Sequence, residues 1–356
     1  MYAVTLNRDD ASGFPLDTLT TCKQHATPVV RGQETWTTRT DFVNKHPSVI
    51  QITSYNFTGT GTTPERCVGV VKALPLHHKN PAQHASDLAM IQAKDKLSFV
   101  FFHNSDPKPI ECIRVDGATD EGPSHEEVQF WWTVRHIEEK KVATLITTRS
   151  SGSSYLNWVK LQNGCLAHGH SNTYIPSTLA GSSMDPTTGK VNDEKVKENL
   201  SLAIDAYIHD NCPCGETSIH LFKGTPSDAY QLKRAKLPAF LKSKKSREEL
   251  KLEDPELYDY FESVWTVRNS HMVTGLLSYS FMLLCCFKSG CKHPRCLEGK
   301  QPGTPDTWYP GGPPLTHLPL PKPDPSRPWG GSCSTCKDFC SGHYCEPIFT
   351  DVTKMP

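Results

Sequence analysis

The chain of 356 residues exceeds one average domain, and its 38 Lys+Arg balance 38 Asp+Glu, so no global field steers it toward nucleic acid and any phosphate contact must come from a local patch. A hydrophobic content of 37% supports a globular core, while 28 prolines, densest after residue 300, point to an extended last fifth. No charged-then-apolar leader precedes the first strand-like segment, and the longest apolar run, LLSYSFMLLCCF at 276–287, is too short to span a bilayer. The expectation is therefore an intracellular protein, nuclear or cytoplasmic and not secreted, whose 14 cysteines are reduced, buried or metal-bound.

YAVTLNRDD at 2–10 alternates apolar and polar positions and stops at Asp9 and Asp10, which reads as a strand with acids at its C-terminal end. SVIQITSYNF at 48–57 and RCVGVVKALPL at 66–76 are two more β-rich runs, separated by the turn-like TGTGTTPE. HASDLAMIQAKDKL at 84–97 has helical spacing, and CIRVDG at 112–117 is a short buried strand that ends on Asp116. Ser124 and Glu127 form an S-x-x-E capping box, so a helix begins there, with Val128, Trp131, Trp132 and Arg135 along one face. VATLITTR at 142–149 is a further strand and SSYLNWVKLQNGCLAH at 153–168 a further helix. Strand, strand, strand, helix, strand, helix, strand, helix is the order used by the ribonuclease H-like fold. The predicted class is α/β: a ribonuclease H-like mixed sheet flanked by helices, with an appended helical and Cys/His zinc-binding C-terminal region.

In such a sheet the carboxyl ends of strands face the crevice where ligands bind. Asp9 or Asp10 and Asp116 would then lie on adjacent strands and hold Mg²⁺ or Mn²⁺ for phosphodiester cleavage. The plainer reading makes Asp116-Gly117 a turn and gives Asp120 and Glu121 to a helix N-terminus.

NRDDASGFPLDTLTT, IECIRVDGATDEGPSHEEVQFWWTVRH, TTRSSGSSYLNWVKLQNGCLAHGHSN and WYPGGPPLTHLPLPKPDPSRPWGGSC, with further stretches along nearly all of the chain, resemble a family of multi-copy, transposon-derived proteins with a DDE-type transposase core. The resemblance implies Asp9 or Asp10 as first acid, Asp116 as second, and a third acid on the helix of the VxLQNGC motif. At that third position this chain carries Lys160, which cannot ligate a divalent cation while protonated and is expected to pair with Asp116. Catalysis is thereby expected to be lost, although a solvated surface Lys160 with no bearing on the site is the competing reading. The first strand begins almost at the first residue, so the expectation is either a truncated copy or recognition of DNA by the C-terminal part.

The expected division is a core at 1–170, a helical extension at 171–284 and a Cys/His- and Pro-rich tail at 285–356. A helix is predicted over DEKVKENLSLAIDAYIHD, and QLKRAKLPAFLKSKKSREELK at 231–251 is the strongest basic block. There Lys242, Lys244, Lys245 and Arg247 are candidates for a DNA phosphate backbone, or else form a solvated helix face. Asp254 caps the next helix, with Pro255 at its first position and Leu257, Phe261, Val264 and Trp265 as its buried stripe. Cys286, Cys291, His293 and Cys296 make one zinc-ligand set, and Cys333, Cys336, Cys340 and His343 a second with C-x2-C-x3-C-x2-H spacing, either closed separately or exchanging ligands. Structural Zn²⁺ is thus the expected cofactor. The rival functional class is a non-catalytic DNA- or protein-binding module, and a disulfide-stapled extracellular protein is a remoter third.

Overall fold

The computed structural model describes residues 3–21, 35–37, 49–58, 66–103, 105–118, 120–148, 159–170, 173–210, 219–226, 229–273, 280–298, 319–320 and 348–349. Its contacts divide the chain into two compact units, each discontinuous in sequence. One comprises 1–6, 80–155 and 229–356, and the other 7–79 and 156–228. The sequence reading instead divides the chain consecutively. Strand β1 (Ala3–Pro15) starts in the first unit and continues into the second.

In the second unit the sheet runs, by neighbour, β6 (His220–Lys223), β3 (Cys67–Lys72), β2 (Val49–Thr58), β1. β2 and β3 are antiparallel, with Gln51 opposite Lys72, and β6 adds parallel to β3, with His220 opposite Val68. β6 was not foreseen, because HLFK is too short for a periodic signal. Gly69 permits this packing: a Cβ there would sit 2.7 Å from Leu221.

Helices α3 (Val159–Gly169) and α4 (Asp193–Asp210) bury their apolar faces in this unit's core. Phe14, Ile50, Ile52, Val71, Leu166, Ala203, Ile204 and Tyr207 are all buried there in one cluster. The 3.6-residue spacing of Leu200, Ala203, Ile204 and Tyr207 is what makes one side of α4 apolar.

His170 lies in the same core, bonded to the Tyr207 hydroxyl and edge-on to Phe14 at 5.3 Å. Burial pulls its pKa from 6.5 down to about 4. The native state then binds fewer protons than the unfolded chain between these values, so its stability is full above pH 6.5 and falls as the pH drops toward 4. The loss by pH 4 is about 3 kcal/mol. We expect His170→Gln to flatten that slope, as read from urea midpoints of the two proteins at pH 7 and pH 4.5.

In the first unit the neighbours are β1, β4 (Ile110–Val115), β5 (Ala143–Thr148), β8 (Ser280–Leu284) and β7 (Met272–Val273). β4 and β5 are parallel, with Ile113 opposite Ile146, whereas β8 runs antiparallel to both β5 and β7. The sequence is mixed α/β in both units, as expected, with helices packed on the sheet.

Helix α1 (Pro81–Gln92) starts where Asn80 accepts the Gln83 amide and Pro81 takes the first turn. Helix α2 (Glu126–Glu138) buries Val128, Trp131, Trp132 and Arg135, the predicted face. The capping box does not form. The N-cap is His125, without a side-chain cap, and Glu127 reaches Arg234 at 2.7 Å instead.

Ser243 splits the basic block into α5 (Ala229–Lys242) and α6 (Lys244–Glu253) by accepting the Ser246 amide, and Asp254 caps α7 (Pro255–His271) through the Leu257 amide. Phe130, Trp131, Leu237, Phe240, Leu250, Phe261, Val264 and Trp265 close a helical core. Among the described residues no helix is long and apolar enough to cross a membrane.

Candidate metal centre

The sheet register builds the strongest constellation among the described residues. β7 pairs with β8 so that Met272 faces Leu283, which leaves His271, the last residue of α7, beside the exit of β8. β8 pairs with β5 so that Leu284 faces Ala143, and the next amide, Cys285, donates to the Val142 carbonyl at 3.0 Å. Cys285 and Cys286 thus leave the sheet beside His271.

The chain then turns back twice. Phe287 has φ +49, a left-handed conformation that costs a bulky residue about 1–2 kcal/mol. Its amide is held by donating to Cys296 Sγ at 3.4 Å. Gly290 supplies the second turn at φ +80. Pro294 opens α8 (Pro294–Glu298), which carries Cys296.

His271, Cys286, Cys291 and Cys296 converge, each offering an atom within 4.8 Å of the others. His271 Nε2 lies 3.3 Å from Cys291 Sγ and 3.4 Å from Cys296 Sγ, and Cys286 Sγ lies 3.9 Å from Cys296 Sγ. His271 and Cys296 are buried, Cys286 and Cys291 half-buried. The His293 amide donates to Cys291 Sγ at 3.4 Å, so two thiols accept backbone N–H groups, as thiolates do.

Burial pulls the His271 imidazole down to about 4, which keeps it in the neutral, ligating form at neutral pH. The Cys296 thiol is pulled down to about 4, first by the Cys285 hydrogen bond, and burial pushes Cys291 up to about 12. These four groups could hold a metal ion.

Three of them, Cys286, Cys291 and Cys296, were legible in the sequence. The fourth corrects it: His293 is fully buried but its two nitrogens are already engaged. Nε2 donates to the His136 carbonyl at 2.9 Å, and Nδ1 accepts the Arg295 amide at 3.2 Å, so no lone pair is left for a ligand bond to this set.

His293 joins a second buried group with His136, His271 and Cys285. His271 and His136 were missed, and Cys285, though part of the same cysteine cluster, was left out of the ligand set. His271 follows an amphipathic helix with nothing local to mark it, and the regular Cys286-x4-Cys291-x4-Cys296 spacing is the signal that could have freed His293 from the set. Cys333, Cys336, Cys340 and His343 lie outside the described residues.

The predicted acids belong to different units, Asp9 and Asp10 to the second and Asp116 to the first. In the second unit Asp9 is buried, and its Oδ2 takes Lys160 Nζ at 2.6 Å and Asn163 Nδ2 at 3.1 Å. Lys160 thus pairs with Asp9, where the sequence reading paired it with Asp116. Asp10 points the other way along the strand, to Lys79 at 2.8 Å and the Thr53 hydroxyl at 2.8 Å. Asp116 belongs to the first unit, ends β4 exposed, and accepts its neighbour's Gly117 amide at 2.6 Å.

The basic block is largely engaged within its own unit. Arg247 donates to the Phe240 carbonyl at 2.7 Å and lies 4.3 Å over the Phe240 ring, so its guanidinium braces α6 on the helical core. Lys242, Lys244 and Lys245 remain exposed.

Comparison of the chain with protein-family models, with curated proteins and with solved structures gives no match.

Proposed function

We propose that the chain is a transposable-element-derived protein with a ribonuclease H-like, DDE-type core that no longer cleaves DNA, and that a structural Zn²⁺ holds the C-terminal edge of its first unit. The strand order supports the ancestry. In one unit β3, β2 and β1 are neighbours, and in the other β1, β4 and β5, an order that supports such an ancestry.

The observation that carries the loss of activity is the Lys160 ammonium on Asp9 at 2.6 Å. An ion pair with low exposure of the carboxylate fills the oxygen that a divalent cation would need, and its positive charge repels one. The full-length protein is expected to show no Mn²⁺-dependent nicking of supercoiled DNA above an Asp9→Asn control. Lys160→Glu is expected to raise Mn²⁺ affinity at least about tenfold by electron paramagnetic resonance, the direction set by exchanging a cation for an anion beside Asp9. Nicking by the native protein that disappears in Asp9→Asn overturns the reading.

Zinc is favoured by chemistry and by spacing. Three thiolates and one imidazole are soft and borderline donors. A tetrahedron with Zn–S about 2.3 Å and Zn–N about 2.0 Å requires S···S near 3.8 Å and S···N near 3.5 Å. The observed 3.9, 3.3 and 3.4 Å match it.

A non-catalytic DNA-binding role is favoured by exposed Lys242, Lys244 and Lys245 at the junction of α5 and α6. Replacing all three by glutamine is expected to reduce the salt slope of any DNA binding by about 3, one counterion per phosphate contact.

A further inference from the structure

We propose that His136 and Thr144 form a proton-ordered relay behind the metal centre, with His136 as a positioning residue that fixes the ring of the ligand His271. This rests on the zinc reading above. It also assigns the second buried histidine group: His136, His293 and Cys285 support the first site from outside and hold no ion of their own.

The argument follows the protons. His271 presents Nε2 to the thiols of Cys291 and Cys296, at 3.3 and 3.4 Å. A neutral imidazole that binds metal through Nε2 carries its proton on Nδ1. That Nδ1 lies 3.1 Å from His136 Nε2, so His136 must accept there and carry its own proton on Nδ1. His136 Nδ1 in turn lies 3.0 Å from the Thr144 hydroxyl oxygen, which accepts it. Each link therefore has one possible direction once a metal is bound, running from metal to His271 to His136 to Thr144.

The two supports sit on different elements, α2 and β5, and are fully buried. Water therefore cannot replace either partner at low cost. His293 completes the arrangement. It donates Nε2–H to the His136 carbonyl at 2.9 Å, its ring centroid is 4.5 Å from that of His136, and its Nδ1 faces Cys285 Sγ at 3.6 Å. With the Arg295 amide also on Nδ1, both ring nitrogens of His293 are engaged. Outer partners of this kind orient a ligating imidazole, and their loss weakens metal binding by about 10- to 100-fold.

Thr144→Val is the decisive variant, because it keeps the shape of the side chain and touches no ligand. Without the acceptor, the His136 proton is free to move to Nε2, where it faces the His271 Nδ1–H donor to donor. The measurement uses the full chain with Cys333→Ser and Cys336→Ser, so that the tail ligand set does not contribute. Zn²⁺ affinity is read by chelator competition, and Co²⁺ is read by its thiolate charge-transfer band.

Thr144→Val is expected to weaken Zn²⁺ about tenfold, and His136→Leu by 10- to 100-fold, with circular dichroism of the metal-loaded proteins unchanged. His136→Gln, whose amide oxygen can still accept from His271, is expected to stay within about threefold of the parent. Thr144→Val and His136→Leu both within about twofold of the parent would overturn the relay. So would retention of the metal by Cys286→Ser with its loss from Cys285→Ser, which would place the ion in the histidine group. A parent protein that takes up no Co²⁺ with a thiolate band instead sinks the zinc reading itself.

Discussion

Replacing Arg135 by methionine is expected to destabilise the first unit by about 3–5 kcal/mol. Arg135 is buried on α2 and grips Glu111 of β4, with Nε donating to the two carboxylate oxygens at 3.1 and 3.0 Å and Nη2 adding a further bond. Lys141 Nζ stands 3.8 Å from the same carboxylate and donates to the Lys108 carbonyl at 2.9 Å. The cluster is therefore two cations on one anion, all inside the protein.

Burial alone would raise the Glu111 pKa, but the charges of Arg135 and then Lys141 bring it below the usual carboxylate range. Its contribution is complete above the ordinary carboxylate value near 4.5 and is lost as the pH falls through the lower folded value. Without Arg135 the buried carboxylate loses its main partner, and burial then favours its protonated form.

The double variant Glu111→Gln with Arg135→Met is expected to recover more than half of the loss, because an uncharged pair leaves no orphaned ion. Urea denaturation at pH 7, followed by tryptophan fluorescence and circular dichroism, measures both. A cost below about 1 kcal/mol for Arg135→Met would mean that the pair contributes no more than an exposed one.

The second large effect is expected at the thiols. Cys296→Ser removes the sulfur that approaches both His271 and Cys286 and that accepts the Phe287 amide. Structural zinc sites yield about 10–16 kcal/mol over four ligands, so one thiolate is worth roughly a quarter of that, about 3 kcal/mol. We expect the purified variant to carry one zinc fewer per chain than the native protein by atomic absorption. Its Zn²⁺ affinity should be about a hundredfold weaker, the fold-change equivalent of that free energy. An unchanged zinc content in Cys296→Ser would show that no ion sits among these residues.

The sequence and the structure agree best where a period is long. Val4 and Leu6 on β1, the Val128–Trp132 face of α2 and the Phe261–Trp265 stripe of α7 are buried as their spacing requires. Asp254 caps α7 because its short side chain reaches the Leu257 amide from the position before Pro255. Ser124 fails where Asp254 succeeds, since Glu127 is drawn off by Arg234, a residue 107 positions away. No local rule contains that ion pair.

The metal centre divides in the same manner. Cys286, Cys291 and Cys296 lie within one short segment and announce themselves by type and spacing. His271 reaches them only through the pairing of β7 with β8, and His136 only through the pairing of β8 with β5. Register is a property of the folded sheet and is not written in either strand alone. Lys160 was legible as a cation where the resemblance implies an acid, but its partner was not, because Asp9 rather than Asp116 takes it.

The discontinuity of the first unit has a consequence for a nascent polypeptide. Its central strands β4 and β5 leave the ribosome long before α7, β8 and the cysteine segment, with the whole 156–228 stretch synthesised in between. Until Leu284 is available to Ala143, β5 presents an unsatisfied edge, the kind of surface that chaperones cover and that otherwise recruits other chains. Completion of this half is thus a late, vectorial event.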